Sequence, residues 1–266
     1  MLRRVISFNK LAIKGQGTMT QTAAIFIIEN EILSGGTKDA NIQYLAKRLG
    51  DVGIRLDQAR VIPDEEDVII SNVRELAATH SYVFTTGGIG FTHDDRTAMS
   101  LARAFGVKLE ENPTALELLR DYYGDALNEA RRRMALIPAG ATLIANPISK
   151  APGFQIQNVF VLAGIPSVMQ AMFDSVVGSL VGGAPILFSA VSCSLPEGVL
   201  ADDLAKVQDQ YPEVDIGSYP YFKSGILGVS LVMRGIDAEA ISNATRDVVE
   251  MVQNLGGNPV IEQQEV

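Results

Sequence analysis

The stretch "SYVFTTGGIGFTHDDRT", Ser81 to Thr97, decides how this chain is read. An apolar run of strand length enters a turn with glycines at 87, 88 and 90, and the turn ends in the adjacent carboxylates Asp94 and Asp95. Glycines permit positive φ and close approach of a ligand, and successive amide N–H groups in such a turn form an anion-binding concavity. A helix starting near Thr92 to Asp95 would add its partial positive charge at the same place. Phosphate is the indicated guest. The spacing is not G-x-x-x-x-G-K-[ST], since no lysine follows, and it is not G-x-G-x-x-G, since His93 stands where the last glycine would fall. Asp94 and Asp95 repel a phosphate unless a divalent cation compensates, and magnesium takes one or two carboxylates with phosphate oxygens and water. The competing reading has the two aspartates only charging and capping a helix N-terminus. His93 reads as a hydrogen-bonding loop residue rather than a general acid.

Outward from this loop the pattern alternates. Upstream, "AAIFIIE" (23–29) has the continuous apolar character of a strand buried on both faces. "NIQYLAKRLGDVG" places Ile42, Leu45, Ala46 and Leu49 at helical spacing, "IRLDQARVIP" reads as a second strand, and "DEEDVIISNVRELAATH" as a helix with Asp64 as its N-cap. Downstream, "DDRTAMSLARAFG" and "NPTALELLRDYYGDALNEARRRMAL" read as helices, "GATLIANP" and "NVFVLAG" as strands, and "PSVMQAMFDSVVGSLV" as a helix. Strands alternating with helices call for a mostly parallel sheet covered on both faces, with ligands at the carboxyl ends of its strands. After "GGAP" (182–185) the order becomes βαββα, the pattern of a small antiparallel sheet with two helices on one face. The expected domains are therefore 21–183, α/β, and 186–260, α+β.

Composition excludes several classes. The net charge is -9, and residues 1–18 hold four basic groups and no acid, so the remainder is more acidic still. Residues 186–266 hold twelve acids and four bases, which speaks against nucleic acid as a partner. No apolar run reaches the ~20 residues of a membrane span. A single cysteine, Cys193, rules out an internal disulfide and suits a reducing, cytoplasmic setting. The leader, residues 1–20, is expected to be disordered or non-native, residues 1–18 lying upstream of a true start at Met19, with a transit-like segment as the rival reading.

"FTTGGIGFTHDDRT" resembles the "TGGxGPTxDDxT" segment of the molybdopterin-binding fold found in molybdenum-cofactor biosynthesis proteins and in the N-terminal part of CinA-like competence/damage-inducible proteins. Four further segments resemble that family in the same order: "ENEILSGGTKDANIQYLAKRLGDVGI", "VIPDEE", "NPISKAPGF" and "LAGIPSVMQAMF". "VDIGSYPYF" is similar to a segment of the small middle domain of CinA-like proteins. The resemblance implies a three-layer α/β/α fold and a divalent-metal-dependent pyrophosphatase of ADP-ribose-like nucleotides. Its alternatives are a non-catalytic molybdopterin or nucleotide-binding module and a molybdopterin adenylyltransferase-like enzyme. It implies that Asp64 and Asp95 are the catalytic carboxylates, with Asp95 and Asp94 holding Mg²⁺, Mn²⁺ or Co²⁺. Gly87, Gly88, Gly90 and Thr92 would cradle phosphate. Ser34, Gly35, Asp39 and Asn41 would line the neighbouring crevice, Glu31 matches the acidic residue of "GDELL", and Pro152, Gly153 and Gly164 border the same space. A small nucleotide or pterin phosphate is the implied ligand, a homo-oligomer the implied assembly, and the amidohydrolase domain common in CinA-like proteins is not expected. Departures from the pattern are Phe91, Ala163, Val168, Lys150 and the pair Glu29-Asn30.

Overall fold

In β1 (Gln21–Ile28) every residue from Ala23 to Ile28 is buried. Side chains alternate along a strand, so Ala24, Phe26 and Ile28 enter one core while Ala23, Ile25 and Ile27 enter another. Only a strand covered on both faces satisfies that pattern. The computed structural model describes residues 21–223 and 225–262, so the leader expected over 1–20 lies outside the described residues.

A short helix α1 (Asn30–Leu33) and α2 (Asn41–Asp51) lead to β2 (Ile54–Ile62); α3 (Glu66–Thr79) leads to β3 (Tyr82–Thr86), and α4 (Thr97–Phe105) follows the glycine loop. Then come β4 (Leu109–Glu111), α5 (Pro113–Tyr123), α6 (Glu129–Arg132), β5 (Leu136–Pro138), β6 (Thr142–Ile144), β7 (Gly153–Ile156), β8 (Val159–Leu162) and α7 (Pro166–Val176). The main sheet runs β2-β1-β3-β8-β7-β6. Its first four strands are parallel and β7 is antiparallel to both neighbours. α2 and α7 cover one face, and α3, α4 and α5 the other, which makes three layers. The parallel strands bring the residues that follow β1, β2, β3 and β8 to one edge, where Glu29, Asp64, Gly87 and Gly164 stand.

Several expectations are corrected. The long helix expected over 112–136 breaks at Gly124, whose φ is +51°, and continues only as single turns and α6. β4 and β7 fall where the sequence pattern assigns no element, and β5 starts at Leu136, the end of the expected helix, because three or four residues carry no measurable period. α4 begins at Thr97, not within Thr92–Asp95. Asp64 does not cap α3: the capping position is Glu65, and Asp64 accepts a hydrogen bond from the backbone N–H of Asn30 at 3.1 Å.

The rest of the chain forms β9 (Leu187–Cys193), α8 (Glu197–Gln210), β10 (Asp215–Lys223), β11 (Ile226–Gly235), α9 (Ala238–Asn254) and β12 (Val260–Glu262). The antiparallel sheet, ordered β10-β11-β9-β12, shares a core with α8 and α9. β12 extends the expected βαββα order by one exposed strand. The connection is pinned to the α2–β2 turn, where Gly183 donates to Val52 at 3.2 Å and Ile186 to Gly50 at 2.9 Å. Among the described residues no helix is long and apolar enough to cross a membrane.

Candidate functional site

The glycine loop is built to return on itself. Beyond β3, Gly87 donates to the Leu162 carbonyl at 3.2 Å, and its φ of +94° is left-handed. A Cβ there would stand 2.3 Å from the Ile28 carbonyl oxygen, so only glycine fits. The buried Thr97 fastens the far end: its N–H donates to Gly88 and its hydroxyl to Gly87. Between these anchors Asp95 closes the loop. One carboxylate oxygen accepts the Gly90 N–H at 2.7 Å; the other accepts the Thr92 N–H at 2.8 Å and the Thr92 hydroxyl at 2.6 Å. A Cβ on Gly90 would come within 2.6 Å of that carboxylate.

Against the loop lies a cleft of about 420 Å³ at the strand ends. Among the described residues five carboxylates line it, Glu29, Glu31, Asp64, Asp94 and Asp95, with no lysine or arginine. Burial, then the charges of Glu31, Asp39 and Asp64, push the Glu29 carboxyl above the ordinary glutamate range. Asp64 is likewise raised, chiefly by burial and further by Glu31, Asp94 and Asp95, although the Asn30 N–H opposes the shift. Carboxyl groups crowded in this way bind cations or retain protons.

Residues 24–182 match the family described as a probable molybdopterin binding domain. The chain belongs to that family. Residues 185–256 match a second family, described as the middle domain of FAD synthase. A protein of Archaeoglobus fulgidus is 33% identical over 230 residues, covering 86% of this chain and 97% of that one. One from Aeropyrum pernix is 31% identical over 256 residues, covering 89% and 95%. The crystal structure of the protein CinA from Thermoplasma acidophilum is 30% identical and matches with a TM-score of 0.57, over 60% of this chain and 98% of that one.

The molybdopterin-binding-domain residues singled out in the sequence fall into three groups. Glu31, Asp64, Gly87, Gly88, Gly90, Asp94, Asp95 and Gly164 line the acidic cleft. Thr92 and Pro152 line a second cleft beyond the loop. Ser34, Gly35, Asp39, Asn41 and Gly153 line neither. Ser34 and Gly35 form the exposed turn after α1, and Asp39 caps α2 by accepting the N–H groups of Asn41 and Ile42, each at 3.0 Å. Asn41 holds the Gly164 carbonyl at 2.8 Å, and Gly153 abuts Val161, where a Cβ would meet the carbonyl oxygen at 2.2 Å. His93 points outward, its side chain 93% exposed.

Sequence reasoning passed over Glu29. It was seen only as a departure from the family pattern, yet it stands at the end of β1 in the cleft, with Oε1 2.4 Å from where a Cβ on Gly164 would lie. Val168, where the pattern has glutamate, lines the same cleft as a buried apolar residue. The cleft thus lacks a carboxylate on α7 and carries one at the end of β1. The only available signal was an acidic residue directly after a fully buried strand. This donor set fits a hydrated divalent cation that brings phosphate oxygens as its remaining ligands. It does not form an all-protein cage, since among the described residues no three His, Cys, Asp or Glu side chains converge on one point.

Proposed function

We propose that the chain is a divalent-metal-dependent pyrophosphatase of ADP-ribose-like nucleotides. The observation that carries this reading is a strand-end cleft, set against a glycine loop, that among the described residues is lined by five carboxylates and no lysine or arginine. Asp94, with water and phosphate oxygens, would hold a magnesium, manganese or cobalt ion, which would screen the phosphate charge when bound. Asp64 is the proton acceptor. One of its oxygens is held by Asn30, which fixes the carboxylate and leaves the other oxygen open to the cleft. A water oriented there attacks phosphorus, a water proton passes to Asp64, and the bridging oxygen departs with the electron pair of the broken P–O bond. The products are AMP and ribose 5-phosphate. Because Asp64 must be ionised and its carboxyl is raised, the rate climbs with pH through a range above that of an ordinary aspartate.

A second reading, a binding module for a molybdopterin or nucleotide without turnover, is favoured by the engagement of Asp95 with its own loop. A molybdopterin adenylyltransferase-like enzyme would use the same cleft. The description of the second matched family supports a pyrophosphate-linked substrate, since FAD is two nucleotide halves joined in that way. The deciding experiment follows AMP release from ADP-ribose with Mg²⁺, Mn²⁺ and Co²⁺ in turn, for the wild type and Asp64→Asn. Asparagine still accepts from Asn30 but takes no proton, so the expected loss is about 10²–10⁴-fold. No AMP with any metal would sink the hydrolase and leave the binding module, then titrated with a pterin phosphate.

A further inference from the structure

The glycine loop has a second side. Across Gly88–Gly90 from the acidic cleft lies a cavity of about 450 Å³, and the two share Gly88, Ile89, Gly90, Asp95 and Met134 as a common ridge. Both volumes fall within the roughly 300–1,000 Å³ typical of small-molecule sites. Their electrostatics are opposite. Among the described residues Asp95 is the only carboxylate lining the second cavity, and it is committed to Gly90 and Thr92. Arg96, Arg133 and His93 stand on the walls, and Met134, Ile137 and Phe154 make a buried apolar floor.

Three consecutive arginines sharpen the assignment. Arg131 lies over the Tyr123 ring at 4.5 Å and donates to the Ala126 carbonyl, while Arg132 pairs with Glu111 and Glu129. Among the described residues the Arg133 guanidinium has no hydrogen bond or ion pair, and Arg133 is the one of the three that lines the cavity. Arg96 precedes α4 on the other wall, its charge partly balanced by Asp94. An exposed guanidinium over an apolar floor suits a flat ring that carries an anion at its edge, because the fork geometry takes phosphate bidentately.

We propose that this second cavity is the subsite for the nucleotide half of a pyrophosphate-linked ligand. The heterocycle rests on the half-buried Met99, Leu109 and Leu136, its phosphate meets Arg133 and Arg96, and the other half of the ligand crosses the glycine ridge into the acidic cleft. The proposal rests on reading the acidic cleft as a pyrophosphate site. A single ligand then spans two clefts of opposite charge, with its phosphates at the ridge.

The test uses AMP without metal, titrated by calorimetry into the wild type, the double variant Arg96→Gln/Arg133→Gln, and Arg55→Gln as a surface change away from both clefts. Both ridge arginines are exposed, so the double variant is expected to unfold at the wild-type temperature. AMP should bind the double variant at least ten-fold more weakly and Arg55→Gln unchanged, while adenosine binds wild type and double variant alike. Equal AMP affinity in the double variant, or no AMP binding by the wild type, overturns the subsite. Turnover of ADP-ribose separates this from the parent reading. Arginine-dependent AMP binding without hydrolysis keeps the subsite and removes the hydrolase, whereas hydrolysis with an unchanged KM in the double variant removes the subsite alone.

Discussion

Two regions meet at Asp95, and they are held by opposite physics. On the loop side the polar groups of Gly87, Gly88, Gly90, Thr92, Asp95 and Thr97 are engaged with one another or with β8. On the cleft side Glu29 and Asp64 are crowded by further carboxylates, with no basic residue among the described residues of the lining. Satisfied hydrogen bonds account for the loop by stability alone. Uncompensated like charges do not stabilise a fold, so the cleft's composition calls for a ligand.

That contrast is open to direct attack. The largest effect is expected from Gly87→Ala, where left-handed φ coincides with a backbone carbonyl 2.3 Å from the new Cβ. A loss of about 3 kcal/mol is expected, lowering Tm by roughly 6–12 °C, and an unchanged melting curve would mean that the loop is not the rigid partner. Next comes Asp95→Asn. A carboxamide cannot accept from Gly90 on one side and Thr92 on the other, so denaturant titration should register a loss of about 1–3 kcal/mol. A neutral result would move Asp95 from loop closure to ligand binding only.

The smallest effect has the opposite sign. Glu29→Gln removes a charge that its surroundings disfavour, and Tm at neutral pH should rise by about 1–2 °C, the scale of a screened, partly exposed group. The folded-state value of Glu29 is raised, so its protonated form is relatively favoured in the native protein, and that advantage is lost as pH rises through the raised value. The gain from glutamine is therefore present at neutral pH and vanishes below the ordinary glutamate value of 4.5. Added Mn²⁺ should raise the wild-type Tm more than that of Glu29→Gln. Destabilisation by Glu29→Gln at neutral pH would erase the distinction between the two regions.

How far the fold was legible tracked the length and periodicity of each element. β1 announced itself by six buried residues in a row, and α2 by Leu45 and Leu49 on one stripe. The β4–β5 hairpin, with three residues in each strand, and the antiparallel β7 had no such pattern, because they exist only through pairing with distant partners. α5 resembled the start of a longer helix until Gly124 turned left-handed. In the site, the glycines and aspartates of the loop were legible as a motif. The hydrogen bonds that commit Asp95 to Gly90 and Thr92 were not, since a sequence shows which groups can pair but not which pairs win.

By itself the sequence determined the alternation of buried strands and amphipathic helices, the family, and the presence of carboxylates beside a glycine turn, because each of these is written in local order and spacing. Tertiary structure alone decided which carboxylates share a space. Glu29, Asp64 and Asp94 are far apart along the chain and meet because β1, β2 and β3 run parallel and end at one edge. The raised pKa of Glu29 and of Asp64, and the orientation of Asp64 by Asn30, follow from that convergence. Burial and the Coulomb interaction depend on distance in space, which separation along a sequence does not specify.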